Sequence, residues 1–275
     1  MPISIRNNRA AIRVSGVDAH RLLNDVLTAN ISQEAGSAQW WALLSPQGKI
    51  QAEGLICWQD DAFWLDVHLG IADAFLKRMR LYKLRADAEF ENITESHRVG
   101  WSDTPTPTGI SIADPRDKSL GFRIIAPLAE TADWVEADTS FALARIKAGI
   151  AELGEDFTAD QAFPHDIGMD LLSGVDFKKG CYVGQEVVSR MQHRGTARRR
   201  PVIASNIVAP ADTALVSAGK DVGMLGSVVN GSAVAIVRLD RIVDAAAETA
   251  DGNKVHLALP SWASYRFQDS SGDED

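Results

Sequence analysis

The sequence predicts a body of mixed helices and strands followed by a small β-barrel. Up to about residue 200, strand-like runs alternate with amphipathic helical patterns. From Pro201 onward the apolar runs are short, β-rich and separated by Gly, Asn, Asp and Pro, which is typical of small barrels. Residues 104–109 carry two prolines, which excludes a helix or central strand there, so this segment is the best internal break.

Residues 1–103 predict an N-terminal αβ lobe. Its first helix, residues 17–27, is amphipathic, and either Ser15 or Asp18 is placed to cap it. Its second helix, residues 71–81, has an apolar face on which we expect Ala74 and its apolar neighbours to point inward. The predicted strands of this lobe are residues 10–14, 40–44, 50–58, 62–67, 86–90 and 98–101.

Residues 109–200 predict a second αβ lobe. We expect a short strand at residues 122–125 and a helix that runs through Trp134 and residues 141–150. Residues 151–180 are mostly irregular, and an irregular stretch of this length usually has a function or packs against another domain.

Residues 201–267 predict the barrel, and the polar, acidic residues 268–275 predict a disordered tail. The predicted barrel strands are residues 202–208, 214–216, 226–229, 233–239 and 254–259.

The composition is that of an ordinary soluble globular protein, with 45% hydrophobic and 24% charged residues. The net charge of −9 argues against broad attraction to nucleic acid or to an anionic membrane. No apolar run approaches the ~20 residues that span a bilayer. Residues 1–6 lack a signal-peptide core and an Arg- and Ser-rich transit pattern, so we expect a cytoplasmic bacterial protein.

The chain has two cysteines, Cys57 and Cys181. Cys57 lies in an apolar run, residues 54–58, that predicts a buried strand. Two cysteines exclude a disulfide scaffold and a self-contained iron–sulfur site, which usually takes four thiolates. The six histidines are scattered without metal-ligand spacing, so the sequence predicts no metal site.

Cys181 lies between two glycines, Gly180 and Gly184, just before an apolar stripe that predicts a helix over residues 185–191. A helix N-terminus and adjacent lysines both favour the thiolate form of a cysteine, whereas Glu186 opposes it. We expect an accessible thiol that alkylates faster than a free model thiol at neutral pH. The alternative is a small, inert cysteine packed beneath a glycine turn.

Residues 179–186 read K-G-C-Y-V-G-Q-E, and Arg190 and His193-Arg194-Gly195 follow. This pattern resembles the YgfZ family of folate-binding proteins, relatives of the aminomethyltransferase (T-protein) of the glycine cleavage system. Looser similarity to these families covers residues 43–50, 145–150, 222–228 and 235–238. The resemblance implies an α+β fold, in which a two-lobed αβ body and a C-terminal β-barrel form a cloverleaf around a folate cleft.

The resemblance also implies a function: binding of tetrahydrofolate, or a one-carbon derivative, in support of the assembly or repair of iron–sulfur enzymes. The implied clients are mainly four-iron enzymes, including tRNA-modifying ones, and the implied partners are these enzymes or cluster carrier proteins. Cys181 would be the working thiol, with Lys179 beside it. It would act either as a transient ligand to a cluster or sulfur or as a nucleophile toward folate-borne one-carbon units, and the sequence does not choose between these roles. Whether the chain is itself an enzyme stays open. The residues implied to bind the folate are Tyr182, Gln185, Glu186, Arg190, Arg194, Phe141 and Arg145.

A basic cluster follows the motif in this otherwise acidic chain. A solvated surface is one interpretation of such a run. The other is anion binding, because the planar arginine side chain suits the carboxylates of a folate's glutamate tail. RNA is a rival ligand that the overall charge disfavours. The cluster consists of Arg190, His193, Arg194, Arg198, Arg199 and Arg200.

Two positions depart from the transferase pattern. Lys147 occupies the place where the aminomethyltransferases have a pterin-binding glutamate. Their catalytic aspartate has no counterpart here, since only Glu53 is near and it is one position out of register, which turns a strand side chain to the opposite face. A true folate-dependent aminomethyl or methyl transferase is therefore the second hypothesis. Phe141 and Trp40, Trp41, Trp58 and Trp64 are candidates for stacking on the pterin or benzoyl ring.

Overall fold

A computed structural model describes residues 2–136, 139–195 and 197–267, so the tail predicted at residues 268–275 lies outside the described residues. The α-helices of the described part are α1 (Ala19–Val26), α2 (Ala72–Lys83), α3 (Ser140–Ala148) and α4 (Gln185–Arg194). Its strands are β1 (Ser4–Ile5), β2 (Arg9–Ser15), β3 (Ala38–Leu44), β4 (Ile50–Gln59), β5 (Ala62–His68), β6 (Glu89–Asn92), β7 (His97–Ser102), β8 (Ile110–Ala113), β9 (Phe122–Pro127), β10 (Arg199–Ser205), β11 (Ala214–Ser217), β12 (Lys220–Leu225), β13 (Ser232–Arg238), β14 (Ala246–Thr249) and β15 (Lys254–Ala258).

The first sheet has the antiparallel order β3-β4-β5-β2-β6, and α1 and α2 cover one of its faces. Leu23 of α1 and Phe75 of α2 pack with Trp41 in this core. The expectation that Ala74 points inward is wrong, because Ala74 is exposed. Asp18 precedes α1 but makes no capping bond with its side chain; instead it accepts a hydrogen bond from the backbone N–H of Asp87 (2.9 Å).

The second sheet has the order β1-β7-β9-β8, and its strands lie on both sides of the proline-rich segment. Residues 104–109 connect β7 to β8 within this sheet. The predicted helix through Trp134 is wrong, since α3 begins at Ser140 and Trp134 packs with Ile5 and Ile124.

Six strands close the C-terminal barrel in the order β10-β13-β12-β11-β14-β15, with β15 pairing back onto β10. The strand predicted at residues 226–229 is wrong, because β12 ends at Leu225, and β14 was not predicted. A mixed αβ body followed by a small barrel is confirmed.

The irregular stretch between α3 and α4 covers the second face of the first sheet. Ile167 and Val175 from this stretch pack with Trp40 and Leu55 of the sheet and with Val188 of α4. This core fixes the position of the loop that carries Cys181. No helix of the described residues is long and apolar enough to cross a membrane.

Candidate functional site

Cys181 is exposed, whereas Cys57 is buried with 3% of its surface accessible. A Cβ atom added to the neighbouring Gly180 would meet nothing within 4 Å, so this side of the loop faces open space. Burial raises the pKa of Cys57 to about 12, which keeps that thiol protonated. The structure therefore confirms an accessible Cys181 and a core Cys57.

Lys179 anchors the cysteine loop to the end of α1. Its Nζ donates hydrogen bonds to the carbonyl oxygens of Leu27 (2.8 Å) and Ala29 (2.7 Å), which follow the last residue of that helix. The carboxylate of Asp176 accepts from the backbone N–H groups of Lys178 (2.7 Å) and Lys179 (3.1 Å). Burial lowers the pKa of Lys179 to about 8, although nearby carboxylates oppose this. A catalytic role for Lys179 stays a prediction.

Gly184 places the start of α4 directly against the turn between β3 and β4. It has a φ of +79°, which favours glycine, and a Cβ here would lie 2.6 Å from the carbonyl oxygen of Ser45. Gly48 in that turn has a φ of +78°, and its Cβ would lie 3.0 Å from the Cβ of Val187. The two glycines let backbone meet backbone, and this contact sets the direction of α4.

The predicted folate ligands of the motif divide into buried and exposed side chains. Tyr182 is 6% exposed, its ring lies 5.6 Å from the Nζ of Lys179, and its hydroxyl has no hydrogen-bond partner among the described residues. Gln185 is half-buried and donates a long hydrogen bond to the carbonyl of Gly180 (3.4 Å), while Glu186 is exposed. Tyr182 thus belongs to the core of the loop, and Glu186 to its surface.

The arginines of the basic cluster also differ in whether they already have a partner within the chain. Arg190 and Arg194 lie one turn apart on the exposed face of α4, and neither forms an ion pair with a described residue. Arg200 instead binds both carboxylate oxygens of Asp170 (2.7 and 3.0 Å) and the carbonyl of His165 (2.8 Å). Arg200 is structural, and Arg190 and Arg194 are free to meet a ligand.

A groove runs between the body and the barrel, close to the C-terminal half of α4. It consists of two cavities of about 510 and 350 Å³ that share Asp166, Arg199 and Arg238 in their walls. We call it the body–barrel groove. Met191 of α4 and Arg198 line the smaller cavity. Phe157 from the body and Ile236 from the barrel line the larger one.

Phe141 and Arg145, also predicted to bind folate, line a separate cavity of about 270 Å³ that includes no residue of the cysteine motif. The guanidinium of Arg6 covers the Phe141 ring at 3.8 Å. Arg145 is 1% exposed and forms an ion pair with Asp156. Asp156 also lines the body–barrel groove. Arg145 therefore lies behind the groove wall and not in it.

The sequence reasoning missed a buried group of charges at the junction of the two sheets, which we call the charge hub. In it Asp66 binds both Arg9 (2.7 Å) and Arg123, and Glu152 binds Arg6 (2.8 Å). The hub comprises Arg6, Arg9, Arg123, Glu53, Asp66 and Glu152. The partners are up to 146 residues apart in sequence, so no local motif could have revealed the hub.

Glu53 and Lys147, the two departures from the transferase pattern, occupy opposite environments. Glu53 is 1% exposed and accepts hydrogen bonds from Trp40 Nε1 (2.8 Å) and from the backbone N–H of Leu153 (3.3 Å). Lys147 is exposed on α3. Internal donors therefore occupy both oxygens of the Glu53 carboxylate.

Comparison with known proteins agrees with this architecture. Residues 197–265 match the family model for the C-terminal beta-barrel domain of CAF17. A crystal structure of the glycine cleavage system aminomethyltransferase T from Bartonella henselae superposes with a TM-score of 0.73, covering 96% of this chain and 87% of that one at 15% identity. The predicted fold class is thereby confirmed.

Two relatives by sequence are fungal proteins named iron-sulfur cluster assembly factor IBA57 homolog, mitochondrial. The one from Pyricularia oryzae is 30% identical over 212 residues, covering 70% of this chain and 54% of the relative. The one from Aspergillus oryzae is 27% identical over 266 residues, covering 78% and 59%. The chain spans about half the length of the curated relatives it matches.

These names contradict the expectation of a cytoplasmic location, which is not retained. That expectation depended on the composition of residues 1–6 alone. The chain is thus similar in sequence to IBA57-type iron–sulfur cluster assembly factors and has the fold of the glycine-cleavage aminomethyltransferases.

Proposed function

We propose that the chain is a tetrahydrofolate-binding member of the YgfZ and IBA57 group. It supports the assembly or repair of iron–sulfur enzymes, mainly four-iron ones and including tRNA-modifying enzymes. The observation that carries the proposal is the exposed Cys181 on a loop that Lys179 and Gly184 hold against the first lobe. The similarity to iron–sulfur cluster assembly factors supports the same role.

Cys181 acts as a thiolate ligand to the iron of a cluster in transit. An iron–sulfur cluster usually takes four thiolates, and Cys57 is buried, so this chain offers a single accessible one. The remaining ligands then come from a carrier or client protein, and the cluster is held in a transient complex. In the described part of the chain, no three His, Cys, Asp or Glu side chains converge as a metal site would require.

Tetrahydrofolate fits the body–barrel groove. The larger cavity, about 510 Å³, is within the range of small-molecule sites, roughly 300–1,000 Å³. Apolar walls from Phe157 and Ile236 suit the flat rings, and Arg198 and Arg199 suit the first carboxylates of the glutamate tail.

Arg190 and Arg194 line neither cavity, but α4 borders the smaller one through Met191, so these two arginines bind the outer part of the tail. When bound, the folate supplies a reduced pterin and, in its derivatives, a one-carbon unit. The chain's own residues bind and orient it.

A complementation experiment tests the thiol. Cells that lack their own related factor receive the wild type, Cys181→Ala or the matched control Cys57→Ala. The activity of a four-iron enzyme is compared with that of an enzyme without a cluster. We expect rescue by the wild type and by Cys57→Ala but not by Cys181→Ala. Full rescue by Cys181→Ala would show that this cysteine is structural.

Binding of tetrahydrofolate tests the arginines. Each charge-assisted hydrogen bond contributes about 1.5–3 kcal/mol, so Arg194→Ala should weaken binding about tenfold or more. Arg190→Ala should also weaken binding. Both substitutions should reduce the affinity for polyglutamylated folate more than the affinity for the monoglutamate. Arg85→Ala, an exposed control on the first lobe, should change nothing. An equal loss of affinity for both folates would show that α4 does not bind the glutamate tail.

We expect no aminomethyl transfer in a reconstituted glycine-cleavage assay. The Glu53 carboxylate already accepts hydrogen bonds from internal donors, and Lys147 faces solvent. Neither residue therefore takes the place of the pterin-binding glutamate or the catalytic aspartate of the transferases. Losing a positioned acid–base group typically costs ~10²–10⁴ in rate. Turnover near that of a genuine T-protein would instead favour a folate-dependent transferase.

A further inference from the structure

The proposed folate site leaves one side chain unexplained, the carboxylate of Asp166. Asp166 is 5% exposed, yet it lines both cavities of the body–barrel groove. It belongs to a short 3₁₀ turn, Pro164–Ile167, within the irregular stretch before α4. One carboxylate oxygen accepts a hydrogen bond from the backbone N–H of Phe163 (2.9 Å), and no described residue donates to the other.

The cations nearest to Asp166 do not neutralise it directly. Lys49 donates from Nζ to the carbonyl of Gln161 (2.7 Å) and lies 3.5 Å from the centre of the Phe163 ring. Neither Lys49 nor Arg199 forms an ion pair with Asp166. Burial raises the pKa of Asp166, against the effect of the Phe163 N–H and of these cations. A buried carboxylate without an ion-pair partner is costly, and such groups occur preferentially at functional sites.

The groove is thus polar in two different ways. Asp166 offers a hydrogen-bond acceptor in the wall that the two cavities share, whereas Arg198 and Arg199 offer donors. A matching ligand has neighbouring N–H donors at one end and carboxylates at the other. A reduced pterin carries ring N–H and amino donors side by side, and the glutamate tail carries the carboxylates.

We infer that Asp166 recognises the N–H donor edge of the pterin ring in the body–barrel groove. This inference depends on the proposed folate binding and adds to it the residue that distinguishes a pterin from the rest of the molecule. It also accounts for Lys147, because the carboxylate comes from the loop before α4 and not from the end of α3.

Two probes separate the pterin from the tail. One is tetrahydrofolate monoglutamate, and the other is p-aminobenzoyl-glutamate, which has the tail but no pterin. Asp166→Asn keeps an oxygen that can accept from the Phe163 N–H but removes the negative charge. We therefore expect the affinity for tetrahydrofolate to fall at least tenfold. Binding of p-aminobenzoyl-glutamate should be unchanged or tighter, because a negative charge near its carboxylates is gone. Retained binding of this probe also shows that the variant is folded.

Asp73→Asn is the matched control, because Asp73 is exposed at the start of α2 and lines neither cavity of the groove. It should leave both affinities unchanged. If the wild type binds no tetrahydrofolate, the proposed folate function fails and this inference with it. If the wild type binds and Asp166→Asn binds equally well, only the assignment of Asp166 is overturned. An equal loss for both probes would overturn it as well.

Discussion

At the scale of single residues, the two cysteines of this chain differ in their exposure to solvent. Cys181 is exposed, whereas Cys57 is buried and its pKa is raised to about 12. We therefore expect mild alkylation at neutral pH to add one label, located at Cys181 by peptide mass. Cys57→Ala should label as fast as the wild type. Labelling of Cys57 first would contradict the assignment of Cys181 as the working thiol.

A second prediction at this scale concerns the side chain of Lys179. Lys179→Met removes two hydrogen bonds to carbonyl groups after α1, so we expect a loss of about 1–3 kcal/mol in the free energy of unfolding. The freed loop should also alkylate faster at Cys181. Lys178→Met, an exposed neighbour, should stay within about 0.5 kcal/mol. Equal effects of the two substitutions would show that Lys179 does not anchor the loop.

At the scale of elements, the glycines of the cysteine motif are not equivalent. Gly184 has a left-handed backbone and no room for a Cβ, whereas Gly180 has open space around it. Gly184→Ala should cost about 2 kcal/mol or more, the sum of backbone strain and overlap with Ser45. Gly180→Ala should change the unfolding midpoint little. Denaturant unfolding of both variants decides, and equal stability would refute the close contact.

The elements that could be predicted from sequence are those whose signal is local. The hairpin of β4 and β5 followed from two apolar runs around a polar turn, and α4 from an unbroken apolar stripe. The residues around Trp134 do not exclude a helix, but its position is set by packing with Ile5, which is remote in sequence. β14 was missed because its residues, Ala246–Thr249, have little preference for a strand.

The candidate site was predictable to the same extent. The motif and the accessible thiol around Cys181 lie in one segment, and the sequence identifies them. The folate ligands depend on which loops meet across the body and barrel, and sequence does not encode that locally. The sequence therefore predicts Phe141 and Arg145 in the folate cleft, although they line another cavity of the structure.

At the scale of the whole molecule, the charge hub makes stability depend on pH. Burial raises the pKa of Glu152, but Arg6, Arg9 and Arg123 together outweigh this and hold it well below its ordinary value of 4.5. The hub's contribution is complete above that ordinary value, because the unfolded chain is then ionised too. It is lost as pH falls through the lower pKa of the folded state.

Glu152→Gln should therefore cost about 3–5 kcal/mol at neutral pH, because it leaves buried arginines without a partner. The difference in unfolding free energy between the wild type and this variant should become smaller at pH values below the pKa of Glu152 in the folded state. Glu91→Gln, which breaks a partly exposed pair with Arg13, should cost at most about 1 kcal/mol. Urea unfolding at several pH values measures both. A gap that widens in acid would contradict the assigned direction of the pKa.

The pairing of β1 with β7 also constrains the order in which this chain folds. The first sheet uses residues 9–92 and can form from neighbouring hairpins as the chain is synthesised. Ile5, by contrast, donates its backbone N–H to the carbonyl of Val135 (2.9 Å), a partner that the ribosome adds on the order of ten seconds later. Glu152, the partner of Arg6, is added later still. Residues 4–6 are thus translated before the first sheet but dock after it, and until they do, Arg6 and Glu152 remain in water.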